Sequence, residues 1–300
     1  MKRGVHAILY AFFDAEERLD RASMARQVEL CLAANVTGIA ALGLATEVAK
    51  LSFEERCTLM DWVSEDVAGR VPLGFTIYGQ SVAEQIAMVR KAERAKADWL
   101  ILQPPQVGAY PEDEYFDFFG RVMRATGLPV AIQNAPQYLG RSLSSDSVQR
   151  LRAGHHNFRL IKSESSAAEA AELIAMAGAD FKVFNGRGGA ELLECLDAGC
   201  EGFLLAPDIA DLSAEVMRFH ELGDKSAAAD AYAALLPTIK FVMQSIEHLV
   251  CYGKRLFALR AGIHVLDRAP ALRPDSANLE LLAQIAARHG SFGRKMQRSD

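Results

Sequence analysis

Short apolar stretches alternate with longer helical stretches eight times along the chain, and this alternation restricts the possible folds more than any other feature. The predicted strands are residues 5–13, 38–43, 71–79, 98–103, 128–133, 158–162, 181–184 and 202–206. Strands with so few polar residues are buried on both faces, as in parallel sheets covered by helices. Eight such units in series predict an α/β fold, the (β/α)8 TIM barrel.

Further helical stretches follow the eighth strand. They cover residues 212–223, 227–249, 254–265 and 278–289, which together are too long for one barrel helix. Pro237 lies inside the second stretch and predicts a kink or a break there. A chain of 300 residues could form two domains, but α/β barrels of this length are commonly one unit. We therefore predict a barrel of residues 1–210 and a C-terminal helical segment, residues 211–300, packed on it.

Charge and composition argue against several classes of partner. The net charge is −5 and no basic stripe is present, so nucleic acid is not expected to bind. No apolar run is long enough to cross a membrane, and the first residues lack the apolar stretch of a signal peptide. The five cysteines include no Cys-x-x-Cys pair, and the seven histidines show no metal-ligand spacing. These features predict a cytoplasmic protein with reduced thiols and without a bound metal.

One lysine ends the most informative of these strands. Within residues 158–165, apolar residues lead to Lys162, and small polar residues follow it. Burying an ammonium among apolar neighbours is costly, which favours the neutral amine that attacks keto groups to form Schiff bases. Because side chains alternate along a strand, Lys162 and Glu164 are expected on the same face. Two alternatives stay open: a solvated strand-end lysine, or an ion pair with Glu164 that keeps the lysine charged.

Active sites of (β/α)8 barrels lie at the carboxyl ends of the strands, and this rule alone selects a set of polar residues. The candidates are Thr46, Glu47, Tyr78, Gln103, Gln106, Gln133, Asn134, Tyr138, Lys162, Glu164, residues 185–189 and Asp208. Among them only Lys162 is a good nucleophile toward a carbonyl carbon. The glycine-rich stretch 185–189 is either a tight turn or a set of backbone N–H groups that bind a carboxylate.

Four short motifs occur in the order and spacing of one known family. They are Gly43-Leu44-Ala45-Thr46-Glu47, Gln133-Asn134-Ala135-Pro136, Leu160-Ile161-Lys162 and Gly199-Cys200-Glu201-Gly202. With them the whole chain resembles the dihydrodipicolinate synthase/N-acetylneuraminate lyase family of class I Schiff-base lyases. The resemblance implies a (β/α)8 barrel with a C-terminal helical segment, a Schiff-base lysine at Lys162, a small 2-keto acid substrate and no cofactor. It also implies a homotetramer built as a dimer of dimers.

Several positions depart from that family's pattern. Gln133 stands where the family's aldolases have a tyrosine that relays a proton, and an amide cannot titrate. Leu44 and Ala45 replace a pair of threonines, and Tyr138 replaces the arginine that binds the second substrate of the synthase. These differences argue against the synthesis of dihydrodipicolinate.

One branch of the family shares these departures. The dehydratases acting on 2-keto-3-deoxy-L-arabonate are similar in the Lys162-Ser163-Glu164 sequence and in the motif that begins at Gln133. The resemblance implies a dehydratase in which Lys162 attacks C2 of a 2-keto-3-deoxy sugar acid and Glu164, or a water, removes a C3 proton. Tyr138 would protonate the departing C4 hydroxide, so the catalytic candidates are Lys162, Glu164, Gln133 and Tyr138.

The substrate-binding candidates are Ala45, Thr46, Asn134, Asn185, Gly186 and Leu204. Backbone N–H groups near Ala45 and Thr46, together with the Thr46 hydroxyl, are expected to bind the substrate carboxylate.

Two other functions stay open. A pyruvate-dependent aldolase would cleave or form the C3–C4 bond, with Tyr138 or Tyr78 in place of the missing relay phenol. A non-catalytic homologue that binds keto acids would fit the loss of the relay tyrosine and of the threonines, although the retained Lys162 argues against it. Formation of a Schiff base would separate both enzymes from the binding protein.

Overall fold

The computed structural model describes residues 2–106, 108–178 and 180–293, and its eight parallel strands close into a barrel in chain order. The strands are β1 Gly4–Ile8, β2 Gly38–Ala41, β3 Leu73–Ile77, β4 Trp99–Leu102, β5 Val130–Asn134, β6 Phe158–Ser163, β7 Lys182–Asn185 and β8 Gly202–Leu205. All are buried along nearly their whole length, because helices cover the outside and side chains fill the inside. The predicted (β/α)8 fold is confirmed.

Helices connect the strands and continue beyond the last one. They are α1 Arg21–Ala33, α2 Phe53–Val67, α3 Val82–Arg94, α4 Glu112–Met123, α5 Pro136–Leu139, α6 Ser145–Gly154, α7 Ala167–Ala177, α8 Leu192–Ala198, α9 Pro207–Glu221, α10 Lys225–Val242, α11 Ile246–His248, α12 Lys254–Ala261 and α13 Ser276–His289. A π-helical turn, Leu249–Gly253, joins α11 to α12. Serine and aspartate side chains cap several of these helices; Ser52 and Glu55, for example, form a complete capping box at the start of α2.

The first predicted strand is too long at its carboxyl end. Residues 5–13 are all apolar or aromatic, yet β1 ends at Ile8. Beyond it, Phe13 makes an isolated antiparallel bridge with Leu19, and the Phe12 ring lies 6.3 Å from the Phe257 ring of α12. These residues are apolar because the C-terminal helices cover them, and a linear pattern cannot separate such a buried loop from a strand.

Aromatic rings from three strands fill part of the barrel interior. The His6 ring of β1 lies 6.0 Å from the Trp99 ring of β4 and 5.4 Å from the Phe184 ring of β7. Burial lowers the pKa of His6 to about 4, and its Nε2 lies 3.0 Å from the Lys2 carbonyl oxygen. The interior is therefore a packed core, and active sites of such barrels lie at the carboxyl ends of the strands.

The helices after β8 differ from the predicted ones. The eighth barrel helix α9 begins at Pro207, where a proline suits the first helical turn, and not at residue 212. Helix α10 runs through Pro237 to Val242 without a break, so both the predicted break and the predicted end at residue 249 are wrong. The division of the chain at residue 210 stays a prediction; that residue lies within α9, and residues 294–300 lie outside the described part.

Ion pairs, two of them almost fully buried, fasten the C-terminal segment to the barrel. Arg260 of α12 lies 2.6 Å from Asp211 of α9, and both side chains are almost fully buried. Arg268 lies 2.6 Å from Glu55 of α2. Lys254 of α12 donates to Glu47, in the loop after β2. In the described part of the chain, no helix combines the length and the apolarity that a membrane span requires.

Candidate active site

Lys162 and Glu164 meet at the carboxyl end of β6. The Lys162 Nζ lies 2.7 Å from the Glu164 Oε1, and each side chain is only 6% exposed. The register pairs Lys162 with Gln133 of β5 on one side and with Phe184 of β7 on the other. Since registered residues of parallel strands share a face, Gln133 and Lys162 both project into the barrel.

The Glu164 carboxylate is held in place by the loop after β7. The Arg187 N–H donates to its Oε2, and the Glu164 N–H continues the β5–β6 pairing by donating to the Asn134 carbonyl over 3.0 Å. A Cβ atom built on Gly186 would overlap both carboxylate oxygens. Glycine is therefore required at position 186 if the carboxylate is to reach Lys162.

The glycine-rich stretch 185–189 forms a tight turn and also binds a carboxylate through a backbone N–H group. Arg187, Gly188 and Gly189 have φ angles of 47°, 59° and 77°, which form a tight left-handed turn. The turn presents its N–H group to a carboxylate, but that carboxylate belongs to Glu164 of the protein itself. The arrangement resembles the backbone concavities that bind anions.

The ion pair found in the structure is compatible with a nucleophilic lysine. A carboxylate oxygen at 2.7 Å can take a proton from the Lys162 ammonium directly, which leaves the neutral amine that a Schiff base requires. The same carboxylate is then close enough to exchange protons with carbon atoms bonded to the lysine nitrogen. The alternative of a solvated lysine at the strand end is wrong, because Lys162 is buried.

Two connected cavities open above this pair. The inner cavity has a volume of about 40 Å³, and its charged or polar lining residues are Tyr138, Lys162, Glu164, Arg187 and Asp208. The outer cavity has a volume of about 670 Å³. Leu44, Tyr138 and Ile246 line both cavities. A small keto acid can therefore enter through the outer cavity and place its reactive end in the inner one.

Tyr138 stands at the junction of the two cavities on the one-turn helix α5. Burial, and then the negative charge of Glu164, raise the pKa of Tyr138 above its usual value of 10. The phenol is therefore protonated at neutral pH and can donate a hydrogen bond to a bound substrate.

Unused hydrogen-bonding groups lie beside Lys162. Gln133 is 1% exposed, and neither of its side-chain amide atoms has a partner among the residues that the structure describes. The Thr76 hydroxyl on β3 and the Gln103 amide directly after β4 are likewise buried and unpartnered within the described ranges. Buried polar groups are rarely left without partners, so these atoms are suited to bind ordered water or the hydroxyl groups of a substrate.

The Thr46 side chain is bonded to the backbone of a neighbouring segment. Its hydroxyl donates to the Leu9 carbonyl over 2.5 Å, and its N–H donates to the Gly43 carbonyl over 3.1 Å. In this structure the Thr46 side chain fastens the loop to β1, and its contact with a substrate carboxylate stays a prediction. Ala45, in contrast, lines the inner cavity.

Asn134 and Asn185 also support loops. The Asn134 side chain exchanges two hydrogen bonds with the backbone of Leu143, at 2.9 and 3.2 Å. The Asn185 Nδ2 donates to the Ser165 carbonyl over 3.0 Å. Neither asparagine is among the residues that line the inner cavity, whereas the predicted Leu204 is. The role of the two asparagines as substrate ligands stays a prediction.

Sequence reasoning assigned no role to several residues of the inner cavity. Asp208 was selected only by its position after β8, and its hydrogen bond with Tyr10 spans 198 positions of the chain. Arg187 was included only as part of a glycine-rich loop. The C-terminal helices contribute the apolar wall residues Val242, Met243, Ile246 and Leu249. No local signal distinguishes these four from ordinary helix core residues.

The closed barrel and the buried lysine–carboxylate pair on β6 define the class as a (β/α)8 lyase. The chain belongs to the dihydrodipicolinate synthetase family, whose family model matches residues 1–277. The family and the enzyme class predicted from the sequence are confirmed.

Similar proteins include enzymes with two different activities. The chain is 28% identical to the 4-hydroxy-tetrahydrodipicolinate synthase of Pseudomonas aeruginosa, over 80% of this chain and 82% of that protein. It is also 28% identical to the L-2-keto-3-deoxyarabonate dehydratase of Azospirillum brasilense, over 94% of this chain and 93% of that protein. A similar solved structure is that of YagE from Escherichia coli K12 in complex with pyruvate, with a TM-score of 0.89, 24% identity and coverage of 95% and 98% of the two chains. At that identity the structural similarity shows the fold alone.

Proposed function

We propose that the protein is a dehydratase that removes water from a 2-keto-3-deoxy sugar acid through a Schiff base on Lys162. The observation that carries the proposal is the 2.7 Å contact between Lys162 and Glu164, next to an amide and not a phenol at position 133. An amide can orient a hydroxyl group but cannot relay a proton. Similarity to the Azospirillum dehydratase along 94% of the chain supports the same reaction type.

Proton transfer within the pair would start the reaction. Glu164 takes a proton from Lys162, and the neutral amine attacks C2 of the keto acid to give a carbinolamine. Glu164 returns that proton to the C2 oxygen, which leaves as water, and Glu164 is again a carboxylate. The resulting iminium acidifies the C3 protons, and Glu164 removes one of them to give an enamine. The enamine expels the C4 hydroxyl group, and hydrolysis of the imine releases the product. No metal or organic cofactor is needed in this scheme, because the imine itself accepts the electrons of the broken C–H bond.

Other residues near the lysine–carboxylate pair would bind the substrate. The Tyr138 phenol would hydrogen-bond a substrate hydroxyl group, since it lines the inner cavity with the lysine–carboxylate pair. The Gln133 amide would do the same from β5, where it is registered beside Lys162. The Ala45 backbone would contact the substrate carboxylate, and Leu204 would form an apolar wall. The proposed substrate class follows from this combination of a keto-binding amine and several hydroxyl-binding groups.

An aldolase is the second candidate, because the Tyr138 phenol lies in the same cavity as Lys162. In an aldolase Tyr138 would take the proton of the C4 hydroxyl while the C3–C4 bond breaks. Tyr78 is less suitable for this role, since its hydroxyl is bonded to Gln80 and Gln106 outside the inner cavity. Release of pyruvate and an aldehyde would identify this reaction.

Borohydride reduction in the presence of pyruvate, followed by peptide mass mapping, tests the shared first step. We expect a reduced adduct on Lys162, and none in the variant Lys162→Arg. The arginine keeps a cation beside Glu164 but forms no imine, so it is a matched control for the ion pair. Absence of an adduct in the folded wild-type protein would reject both enzymes and leave a non-catalytic keto-acid-binding protein.

A panel of 2-keto-3-deoxy acids then separates the two reactions. Dehydration retains every carbon atom in one product, whereas aldol cleavage releases pyruvate, and mass spectrometry distinguishes these outcomes. The homotetramer and the cytoplasmic location stay predictions; light scattering coupled to size-exclusion chromatography would test the first.

A further inference from the structure

A second carboxyl group lines the inner cavity and has no role in the scheme above. Asp208 follows β8 directly, as the second residue of α9, and lines the same cavity as Lys162 and Glu164. Its side chain is buried among the residues around that cavity, with a whole-residue exposure of 1%. A substrate bonded to Lys162 would therefore have a carboxyl group available on β6 and another after β8.

The hydrogen bonds of Asp208 leave one of its oxygens unused. The Tyr10 hydroxyl donates to its Oδ1 over 2.8 Å, whereas its Oδ2 is buried without a partner in the described part of the chain. Arg260, a neighbouring cation, donates to the Asp208 backbone carbonyl over 2.8 Å and is itself paired with Asp211 at 2.6 Å. Among the residues that the structure describes, the Asp208 carboxyl group therefore has a hydroxyl neighbour but no ion pair of its own.

The C-terminal helices shield this carboxyl group from solvent. A Cβ atom built on Gly253, in the π-helical turn, would lie 2.5 Å from the Tyr10 hydroxyl oxygen and 3.5 Å from the Asp208 Cγ. The turn thus packs directly on the Tyr10–Asp208 pair. A carboxyl group enclosed in this way favours its neutral, protonated form.

Burial outweighs the hydrogen bonds and charges around Asp208. Burial raises the pKa of Asp208 from 3.8 to about 7, and the nearby Asp211 adds to this increase. The Tyr10 hydrogen bond and the Arg260 charge lower the pKa, but less than burial raises it. The Lys162–Glu164 pair also faces the cavity, with its two charges in mutual contact. Near neutral pH, Asp208 can therefore both hold and release a proton.

We infer that Asp208 is the acid that protonates the departing C4 hydroxyl, and that Tyr10 is the positioning residue that holds its carboxyl group. The inference rests on the proposed dehydration. It assigns the proton transfer to Asp208 and leaves Tyr138 as a hydrogen-bond donor to the substrate. A phenol whose pKa lies above 10 is a weaker acid at neutral pH than a carboxyl group that titrates near 7.

The elimination step moves one proton from Asp208 to the departing oxygen. In the enamine, the nitrogen lone pair restores the C2=N bond, the C2=C3 electrons form a C3=C4 bond, and the C4–O bond breaks. The Asp208 proton joins the departing oxygen to form water, and Asp208 becomes a carboxylate. Glu164 retains the proton that it took from C3. Exchange with water after hydrolysis of the imine returns both carboxyl groups to their starting states.

Two substrates that differ in the leaving group test the assignment in the variant Asp208→Asn. A 2-keto-3-deoxy sugar acid needs a protonated leaving group, whereas 4-chloro-2-oxobutanoate releases chloride without a proton. We expect Asp208→Asn to lower kcat for dehydration by about 10²–10⁴-fold, the range for loss of a general acid. Chloride elimination, borohydride trapping of pyruvate and exchange of the pyruvate methyl protons in D₂O should stay close to wild type.

A role in folding alone would give a different pattern. A merely structural Asp208 would lower chloride elimination and proton exchange together with dehydration, and that result would overturn the inference. The same leaving-group dependence in Tyr138→Phe, with none in Asp208→Asn, would transfer the role to Tyr138. If the wild type dehydrates its substrate and Asp208→Asn does so equally well, the inference fails while the proposed function stands. If the wild type dehydrates no acid of the panel, both fail.

The pH profile provides a readout for Tyr10. Because the acid must be protonated, kcat for dehydration is expected to fall as the pH rises above about 7. In Tyr10→Phe the hydrogen bond that favours the Asp208 carboxylate is lost, so this fall should move to higher pH. The profile for chloride elimination should not move with it. An unchanged dehydration profile in Tyr10→Phe would reject the positioning role.

Discussion

Replacing Gly186 by alanine tests how the lysine–carboxylate pair is held together. The alanine Cβ would overlap both oxygens of the Glu164 carboxylate, which lies 2.7 Å from the Lys162 Nζ. The overlapped atoms are the end of a flexible side chain, so the carboxylate can turn away while the backbone stays in place. Both reactive groups are retained in this variant, and only their distance changes.

The magnitude follows from Coulomb's law. At 2.7 Å and an effective dielectric constant of about 20, the attraction of the pair is roughly 6 kcal/mol. A displacement of the carboxylate to about 4 Å reduces it to roughly 4 kcal/mol, a loss of about 2 kcal/mol before solvent and relaxation are considered. Overpacking costs about 1–3 kcal/mol, so the variant is expected to fold with moderately reduced stability.

The larger effect is expected on chemistry. Proton transfer requires the carboxylate within about 2.6–3.2 Å of its partner, and its loss typically costs about 10²–10⁴-fold in rate. We therefore expect Gly186→Ala to slow the exchange of pyruvate methyl protons in D₂O by about that factor. Proton NMR measures the exchange rate, and denaturant unfolding measures the stability.

A matched glycine provides the control. A Cβ atom on Gly127 would meet nothing within 4 Å, and its φ angle is not positive, so Gly127→Ala should leave both exchange and stability unchanged. Exchange at the wild-type rate in Gly186→Ala would refute the reasoning. It would mean either that Glu164 is not the base or that the site tolerates its displacement.

Two further predictions concern buried titratable groups that have no part in the proposed reaction. Glu47→Gln leaves the Lys254 ammonium, which is 0% exposed, without its counter-ion and should destabilise the fold by about 3–5 kcal/mol in denaturant unfolding near neutral pH. Burial lowers the pKa of Lys254 below 10.5 and Glu47 opposes this, so the pKa should fall further in Glu47→Gln. The difference in proton binding between the unfolded and folded chain is then larger in the variant, and the loss should shrink as the pH rises toward 10.5; a loss that grows with pH would contradict the assignment. His6 has a pKa lowered from 6.5 to about 4, so its unfolded form takes up a proton first, and up to about 3 kcal/mol of stability should be lost as the pH falls from 6.5 to 4. His6→Phe should remove this part of the slope, and parallel curves for variant and wild type would show that His6 does not cause it.

Local patterns were sufficient for most of the barrel. The alternation of apolar strands and amphipathic helices predicted eight units in the right order, and capping residues such as Ser52 placed helix starts to within a residue or two. The errors came where tertiary contacts override local preference. Residues 9–13 are apolar because α12 covers them, and Pro237 is accommodated inside α10.

The candidate site was likewise predictable only in part. Position at the end of a strand selected Lys162, Glu164 and Gln133, because the carboxyl ends of parallel strands meet at one end of a barrel. The direction of each polar side chain was not predictable. Thr46 and Asn185 sit at strand ends too, but each is bonded to nearby backbone and lines no part of the inner cavity.

By itself, the sequence determined the fold class, the family and the reactive lysine, because these follow from periodicity and from short motifs along one stretch of chain. Only the tertiary structure decided which groups surround that lysine. Tyr10 and Asp208 are 198 positions apart, and Glu47 and Lys254 are 207 apart, so no local pattern links them. Closure of the barrel and docking of the C-terminal helices bring these residues together. Burial there changes their protonation, since removing water penalises a charge that has no partner.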